Sequence, residues 1–170
     1  MSDTGDETAG TTWPDLAGRI VDGEHILPVR IYHEDTDFTG LVYHAAYVRF
    51  MERGRSDMLR VLAISQRELA EEGDAAGFVV RRMTIDYRRP ARIEDVVEVR
   101  TSAIILKGAS ITLYQSIWTS DTYLVGALVQ VALIAGDGRP LRIGGRLRAQ
   151  LASAPRSRIE AARQLMSWRH

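Results

Sequence analysis

The chain has 170 residues, 22 Lys plus Arg against 22 Asp plus Glu, zero formal charge and a hydrophobic fraction of 45%. These values fit one globular domain with a substantial core and exclude a largely disordered or fibrous chain. Net neutrality excludes a globally basic field for gripping nucleic acid, and the absence of cysteine excludes disulfides, a thiol nucleophile and thiolate metal ligands.

Residues 1–25 are rich in Gly, Thr and Asp and show neither helical nor strand periodicity, so they read as a flexible acidic arm. The arm lacks the basic start and apolar run of a secretory signal, and no uncharged apolar stretch reaches the roughly 18 residues of a membrane span. The expectation is a soluble, cytoplasmic protein. Order is expected from about Ile26, where Val29 and Ile31 alternate with Arg30 and Tyr32 as in a short strand.

The turn-forming run His33-Glu34-Asp35-Thr36-Asp37-Phe38-Thr39-Gly40 precedes a long helical pattern. There Tyr47, Phe50, Met51, Gly54, Met58, Val61 and Leu62 recur at spacings of three and four, laying one apolar stripe along a helix. Gly54 on that stripe costs about 1 kcal/mol relative to Ala, which points to a backbone approached closely from outside. Ser65-Gln66-Arg67-Glu68 has the form of a capping box, predicting a short helix that ends by Gly73.

Four strand-like segments follow: Phe78 to Tyr87, Val96 to Leu106, Ile111 to Thr119 and Tyr123 to Ala135. Lys107-Gly108-Ala109-Ser110 and Ser120-Asp121-Thr122 separate the last three at hairpin length, which makes them antiparallel. Gly126 inside the last strand suggests a bulge or bend. The order predicts an α+β fold, a long helix packed on one face of a curved five-stranded antiparallel sheet, over residues 26–137. Free sheet edges favour pairing with a second copy. Residues 138–170 form a basic extension in which Ile159, Ala162, Leu165 and Met166 share one face of a short helix. That helix reads either as solvated or as docking to an anionic membrane surface or acidic partner.

The densest polar constellation runs from His33 to His44, where a strand gives way to a helix N-terminus whose unpaired N–H groups polarise an approaching oxygen. Spacing alone allows Asp35 and Asp37 to be turn and capping residues as well as catalytic carboxylates. A calcium loop fails because its twelfth position is Ala46 rather than Glu, and His33, Glu34 and His44 lack the spacing of a helical zinc pair. No glycine-rich phosphate loop occurs.

The run IYHEDTDFTGLVYHAAYVRFMERGRSDML, followed by FVVRRMTIDYRRPARIEDVVEV and KGAS, resembles the hotdog-fold acyl-CoA thioesterases of the 4-hydroxybenzoyl-CoA thioesterase class, in the branch encoded with the Tol–Pal system. The resemblance spans about Leu27 to Ala135. It implies a hotdog fold, with subunits paired into one continuous sheet, active sites at the dimer interface and further association into tetramers. It implies that Asp37 is the catalytic carboxylate, as nucleophile or general base. The backbone N–H of His44, with Tyr43 adjacent, would polarise the carbonyl, and the His44 side chain would also take part. His33 stands where the branch usually has Tyr. Glu52 maps to an acidic position lining the acyl pocket of some relatives, and is otherwise a surface ion-pair residue. Arg88, Arg89 and Arg92, with Lys107, Gly108 and Ser110, would meet the phosphates of coenzyme A if the two loops lie together.

The activity implied is hydrolysis of a fatty or aromatic acyl-CoA to free acid and coenzyme A, with no metal and no cofactor beyond the substrate. Alternatives are a thioesterase acting on acyl carrier protein and a non-catalytic, envelope-associated scaffold.

Overall fold

A computed structural model describes residues 17–64, 77–151 and 156–167. The elements run β1 (Arg19–Val21), β2 (Glu24–Arg30), α1 (His44–Val61), β3 (Gly77–Tyr87), β4 (Val96–Leu106), β5 (Ser110–Thr119), β6 (Thr122–Ile134), α2 (Gly145–Leu151) and α3 (Arg156–Ser167). The strands form one antiparallel sheet in the order β1-β2-β4-β5-β6-β3. The sheet therefore has six strands rather than five. The additional one, β1, arises within the expected arm because Asp22-Gly23 turns the chain back, with φ of 50° and 79° at the two residues. Positive φ at both central positions is the hairpin turn that Asp-Gly favours. The helix expected from Ser65 to Gly73 lies outside the described residues.

Side chains on each strand alternate between two faces. The inner face, carrying Val97, Val99, Leu113, Ile117, Val125 and Val129, packs against α1 through Tyr47, Phe50, Met51 and Met58. Leu59 joins the buried stripe, whereas Val61 and Leu62 are half-buried. Gly54 explains itself: a Cβ there would stand 2.8 Å from Val99 Cγ1 and 3.2 Å from Thr101 Oγ1. Beneath it, Gln115 donates to the Met51 carbonyl and to Thr101 Oγ1, both at 2.9 Å, and accepts from Arg55 Nη1 at 2.9 Å.

The outer face is covered too, which a single-helix architecture does not anticipate. Helix α3 buries Ala162 and Leu165 against Tyr114 and Leu128. Arg158 grips the buried Glu24 through Nε at 2.8 Å and Nη2 at 3.0 Å, and stands 5.7 Å from the centre of the Trp118 ring. The expected helical face is thus spent on the protein's own sheet through Ala162 and Leu165, and Arg158 neutralises a carboxylate of β2. In β6 the extra residue of the bulge is Leu124, two residues before Gly126. Gly126 instead makes room for the Tyr123 ring, which crosses where a Cβ would be.

Candidate active site

Asp35 and Asp37 are separated by one residue and by their surroundings. Asp35 ends a short 3-10 turn, His33–Asp35, and is buried. Its Oδ2 accepts from the Tyr32 N–H at 3.1 Å and its Oδ1 from Arg49 Nη2 at 3.2 Å, while its carbonyl accepts from the Tyr43 N–H at 2.9 Å. Asp35 therefore fastens the loop to α1, and its charge is already engaged.

Asp37 is exposed. Its backbone N–H donates to the Leu41 carbonyl at 2.9 Å, and its Oδ1 accepts from the Thr39 N–H at 2.8 Å and the Thr39 hydroxyl at 2.5 Å. The Thr39 hydroxyl, then its amide, holds the Asp37 pKa below the usual carboxylate value, so the group is ionised at neutral pH. Oδ2 takes neither Thr39 bond, and the Leu41 amide adds a weaker pull on the same carboxylate, which stays exposed.

The loop that presents Asp37 is anchored at both sides. Thr36 bridges to Val42, Leu41 bridges to Arg92, the Val42 N–H donates to the Ala91 carbonyl at 3.0 Å, and the Ile93 N–H donates to the Gly40 carbonyl at 3.1 Å. The tip, Phe38, is fully exposed. Immediately after the loop α1 begins at His44, with Tyr43 at the cap position and no side chain capping it. The Ala46 N–H is spent on the Tyr43 carbonyl at 2.8 Å, whereas the His44 and Ala45 amides, at the positive end of the helix dipole and without a side-chain cap, are ready donors to an oxygen gaining negative charge.

Aromatic rings frame this helix end. The Tyr87 hydroxyl donates to the His44 carbonyl at 3.1 Å, and the Tyr47 hydroxyl accepts from the buried Ala91 N–H at 2.8 Å. The His44 ring lies 4.3 Å from the Tyr43 ring and 6.5 Å, edge-on, from that of Tyr87. Burial raises the pKa of both Tyr47 and Tyr87, so both remain protonated. The His33 ring is exposed, and its carbonyl accepts from the Thr36 N–H and hydroxyl. Among the described residues no three His, Asp or Glu side chains come together to hold a metal ion, and no helix is long and apolar enough to cross a membrane.

Residues 39–125, about half of the chain, match the family model described as the thioesterase superfamily. The chain belongs to that family. The acyl-CoA thioester hydrolase YbgC of Escherichia coli O6:H1 is 42% identical over 116 residues, covering 68% of this chain and 83% of that protein. The acyl-CoA thioesterase YbgC of Haemophilus influenzae is 41% identical over 115 residues, covering 68% and 84%. A solved probable thioesterase from Bartonella henselae is 41% identical, with a TM-score of 0.69 over 71% of this chain and 99% of that one. The sheet wrapped on α1 is the hotdog fold, and the protein is a thioester hydrolase.

Within this thioesterase, Tyr43 and His44 stand at the start of α1, and Asp37 lies on the loop that leads into it. Arg92 flanks them through its bridge to Leu41. Arg88 pairs with Asp86 at 2.5 Å and Arg89 donates to the Tyr123 carbonyl at 3.3 Å. Both line an open outer-face cleft with Trp118 and Arg158. Lys107, Gly108 and Ser110 do not join them. Tyr87 pairs with Val125, whereas Ser110 pairs with Ala132, so the two loops stand at opposite ends of the sheet, roughly 25 Å apart along β6. The Lys107–Ser110 turn is tied instead to the C-terminal segment: the Ile143 N–H donates to the Gly108 carbonyl at 2.8 Å and Arg148 Nη2 to the Lys107 carbonyl at 2.8 Å. Glu52 lies two turns down α1 from His44, hydrogen-bonded to Ser56 at 2.7 Å, beside a small cavity.

Sequence reasoning missed Tyr47, Tyr87 and Arg49 as supports of the site. Tyr87 carried a signal, as the last inward-facing position of β3 beside Arg88-Arg89-Pro90. Arg49 carried none, because its partner Asp35 lies fourteen residues away across a turn.

Proposed function

We propose that this thioesterase hydrolyses acyl-CoA, converting thioester and water to a free carboxylic acid and coenzyme A. The observation that carries this reading is Asp37, an ionised and exposed carboxylate held on the anchored loop that leads into the uncapped start of α1. The thioester carbonyl oxygen accepts from the backbone N–H of His44 at the start of α1 and gains its support as it becomes an oxyanion. Either Asp37 attacks the carbonyl carbon, the C–S bond breaks, and water then hydrolyses the resulting acyl-Asp37 anhydride to the free acid, or Asp37 takes the proton of a water that attacks the carbonyl directly. In both routes coenzyme A leaves as the thiolate and takes up a proton to become the thiol. The rings of Tyr43 and Tyr87 hold His44 in place.

The protein works as a dimer joined at β3. That strand is 11 residues long and forms one edge of the sheet, where Val79 and Val80 are exposed. A long free edge invites antiparallel pairing with its own copy. Such pairing brings the partner subunit's Lys107, Gly108 and Ser110 to the end of the sheet that carries Arg88, Arg89 and Arg92. The phosphate-binding groups are then drawn from two chains. A cytoplasmic location accompanies this reading, because acyl-CoA is an intracellular metabolite.

Thiol release from acyl-CoA, followed with a thiol-reactive dye, tests the proposal without background because the protein has no cysteine. The native protein is expected to turn over, and Asp37→Asn to lose roughly a hundred- to ten-thousandfold in rate, the usual contribution of a positioned base. Equal rates in the two proteins would refute the assignment.

A further inference from the structure

A cavity of about 140 Å³ lies between the C-terminal half of α1 and the sheet. Its floor is apolar and buried: Met58, Leu59, Ile111, Leu113, Val131 and Leu151. Its rim is different. Glu52 and Val80 are exposed there, beside the free edge of β3, and Arg55 is held by Gln115 at 2.9 Å. A dry apolar cavity near 150 Å³ accepts a molecule the size of benzene, so this one suits the end of a hydrocarbon chain and gives a charged group nothing to pair with at its base. Glu52 and Leu59 lie eight and fifteen residues beyond His44, roughly 12 and 22 Å along the helix. The cavity is therefore distal to the carbonyl site.

Leu151 closes that floor, and it comes from α2, beyond the residues matched by the family model. Its placement is enforced from both sides. Gln150 Nε2 donates to the Leu62 carbonyl at 3.0 Å, tying α2 to the end of α1, and Arg148 donates to the Leu106 and Lys107 carbonyls at 3.3 and 2.8 Å, tying it to the β4–β5 turn. Leu151 itself is 4% exposed. A side chain clamped in this way forms a fixed floor.

We infer that the cavity receives the distal end of the acyl chain and that Leu151, supplied by the C-terminal extension, sets the longest chain the enzyme accepts. This rests on the acyl-CoA reading above and adds a specificity residue to it. Shortening the side chain deepens the cavity and enlarging it fills the cavity. Neither substitution touches Asp37 or the start of α1.

The test is thiol release from saturated acyl-CoAs of four to sixteen carbons by the native protein, Leu151→Ala and Leu151→Phe, each scored as kcat/KM on long chains divided by kcat/KM on short ones. The ratio cancels any loss of folded protein. Leu151→Ala should raise the ratio roughly tenfold and Leu151→Phe should lower it roughly tenfold, the discrimination that one or two methylenes give in an apolar pocket. An active native enzyme whose ratio is the same in all three proteins would overturn the role of Leu151 alone. A native enzyme inactive on every acyl-CoA would overturn the acyl-CoA reading and this inference with it.

Discussion

Glu24 and His25 are neighbours on β2, both buried, and they hold opposite halves of the molecule. His25 points to the inner face, where its Nε2 lies 2.8 Å from Asp57 Oδ2 of α1, and the same carboxylate oxygen accepts from the Gly18 N–H at 2.7 Å. Glu24 points to the outer face and holds α3 through Arg158. The inner face is a continuous apolar core relieved by a few polar groups, among them His25, whose buried Nδ1 has no hydrogen-bond partner among the described residues. The outer face has a small cluster, Tyr114, Leu128, Ala162 and Leu165, fastened by one ion pair. The contrast shows that one face carries the stability of the fold while the other attaches an appendage, and each claim can be broken separately.

The largest effect is expected on the inner face. Phe50→Ala empties a fully buried position and should cost about 3–5 kcal/mol, read as a lower urea midpoint with loss of the whole transition. A loss below 1 kcal/mol would deny the inner face its role. On the outer face, Arg158→Met leaves Glu24 buried without its partner and should cost about 2–3 kcal/mol. Hydrogen exchange should then rise first in α3, with β5 and β6 protected. Uniform exchange across the chain would mean that the two faces form one cooperative unit.

Gly54→Ala sharpens the comparison further. It gains about 1 kcal/mol of helix propensity but drives a methyl against Val99 and the Gln115 network, so a net loss of about 1–2 kcal/mol is expected. A stabilised variant would mean that α1 can lift from the sheet at no cost.

The smallest effect is in pH. Burial lowers the His25 pKa below 6.5, outweighing the hydrogen bond and charge of Asp57, which raise it. The unfolded chain therefore takes up a proton that the folded one resists, and stability falls as pH drops below about 6.5. One such group changes stability by at most about 1.4 kcal/mol per pH unit. The urea midpoint should decline from pH 7.5 to 5.5 in the native protein and decline less in His25→Gln. Parallel curves would assign the pH dependence elsewhere.

The inner face was legible in the sequence because the α1 stripe from Tyr47 to Met58 and the alternation of β3 both report burial on one side. The outer face was harder to read. In β6, Leu124 to Val129 are all buried, the continuous apolar run of a strand covered on both faces, and that run was the available sign that α3 had somewhere to dock. β1 went unread because three exposed residues show no period, although Asp22-Gly23 marks its turn. At the site, spacing gave Asp35 and Asp37 the same status. They part only through burial and through Arg49, which are products of the folded chain. The resemblance singled out Asp37, and its exposed, ionised carboxylate supplies a physical reason for the choice.

That division between the two aspartates bears most directly on the mechanism, and one paired measurement tests it: kcat/KM on acyl-CoA and the thermal midpoint for Asp35→Asn and Asp37→Asn beside the native protein. Asp37→Asn should lose roughly a hundred- to ten-thousandfold in kcat/KM at an unchanged midpoint, because the carboxylate is exposed and its loop is held by backbone bonds. Asp35→Asn should lower the midpoint, because Arg49 and the Tyr32 amide lose a buried charged partner. Turnover that survives in Asp37→Asn and vanishes in a well-folded Asp35→Asn would contradict the account.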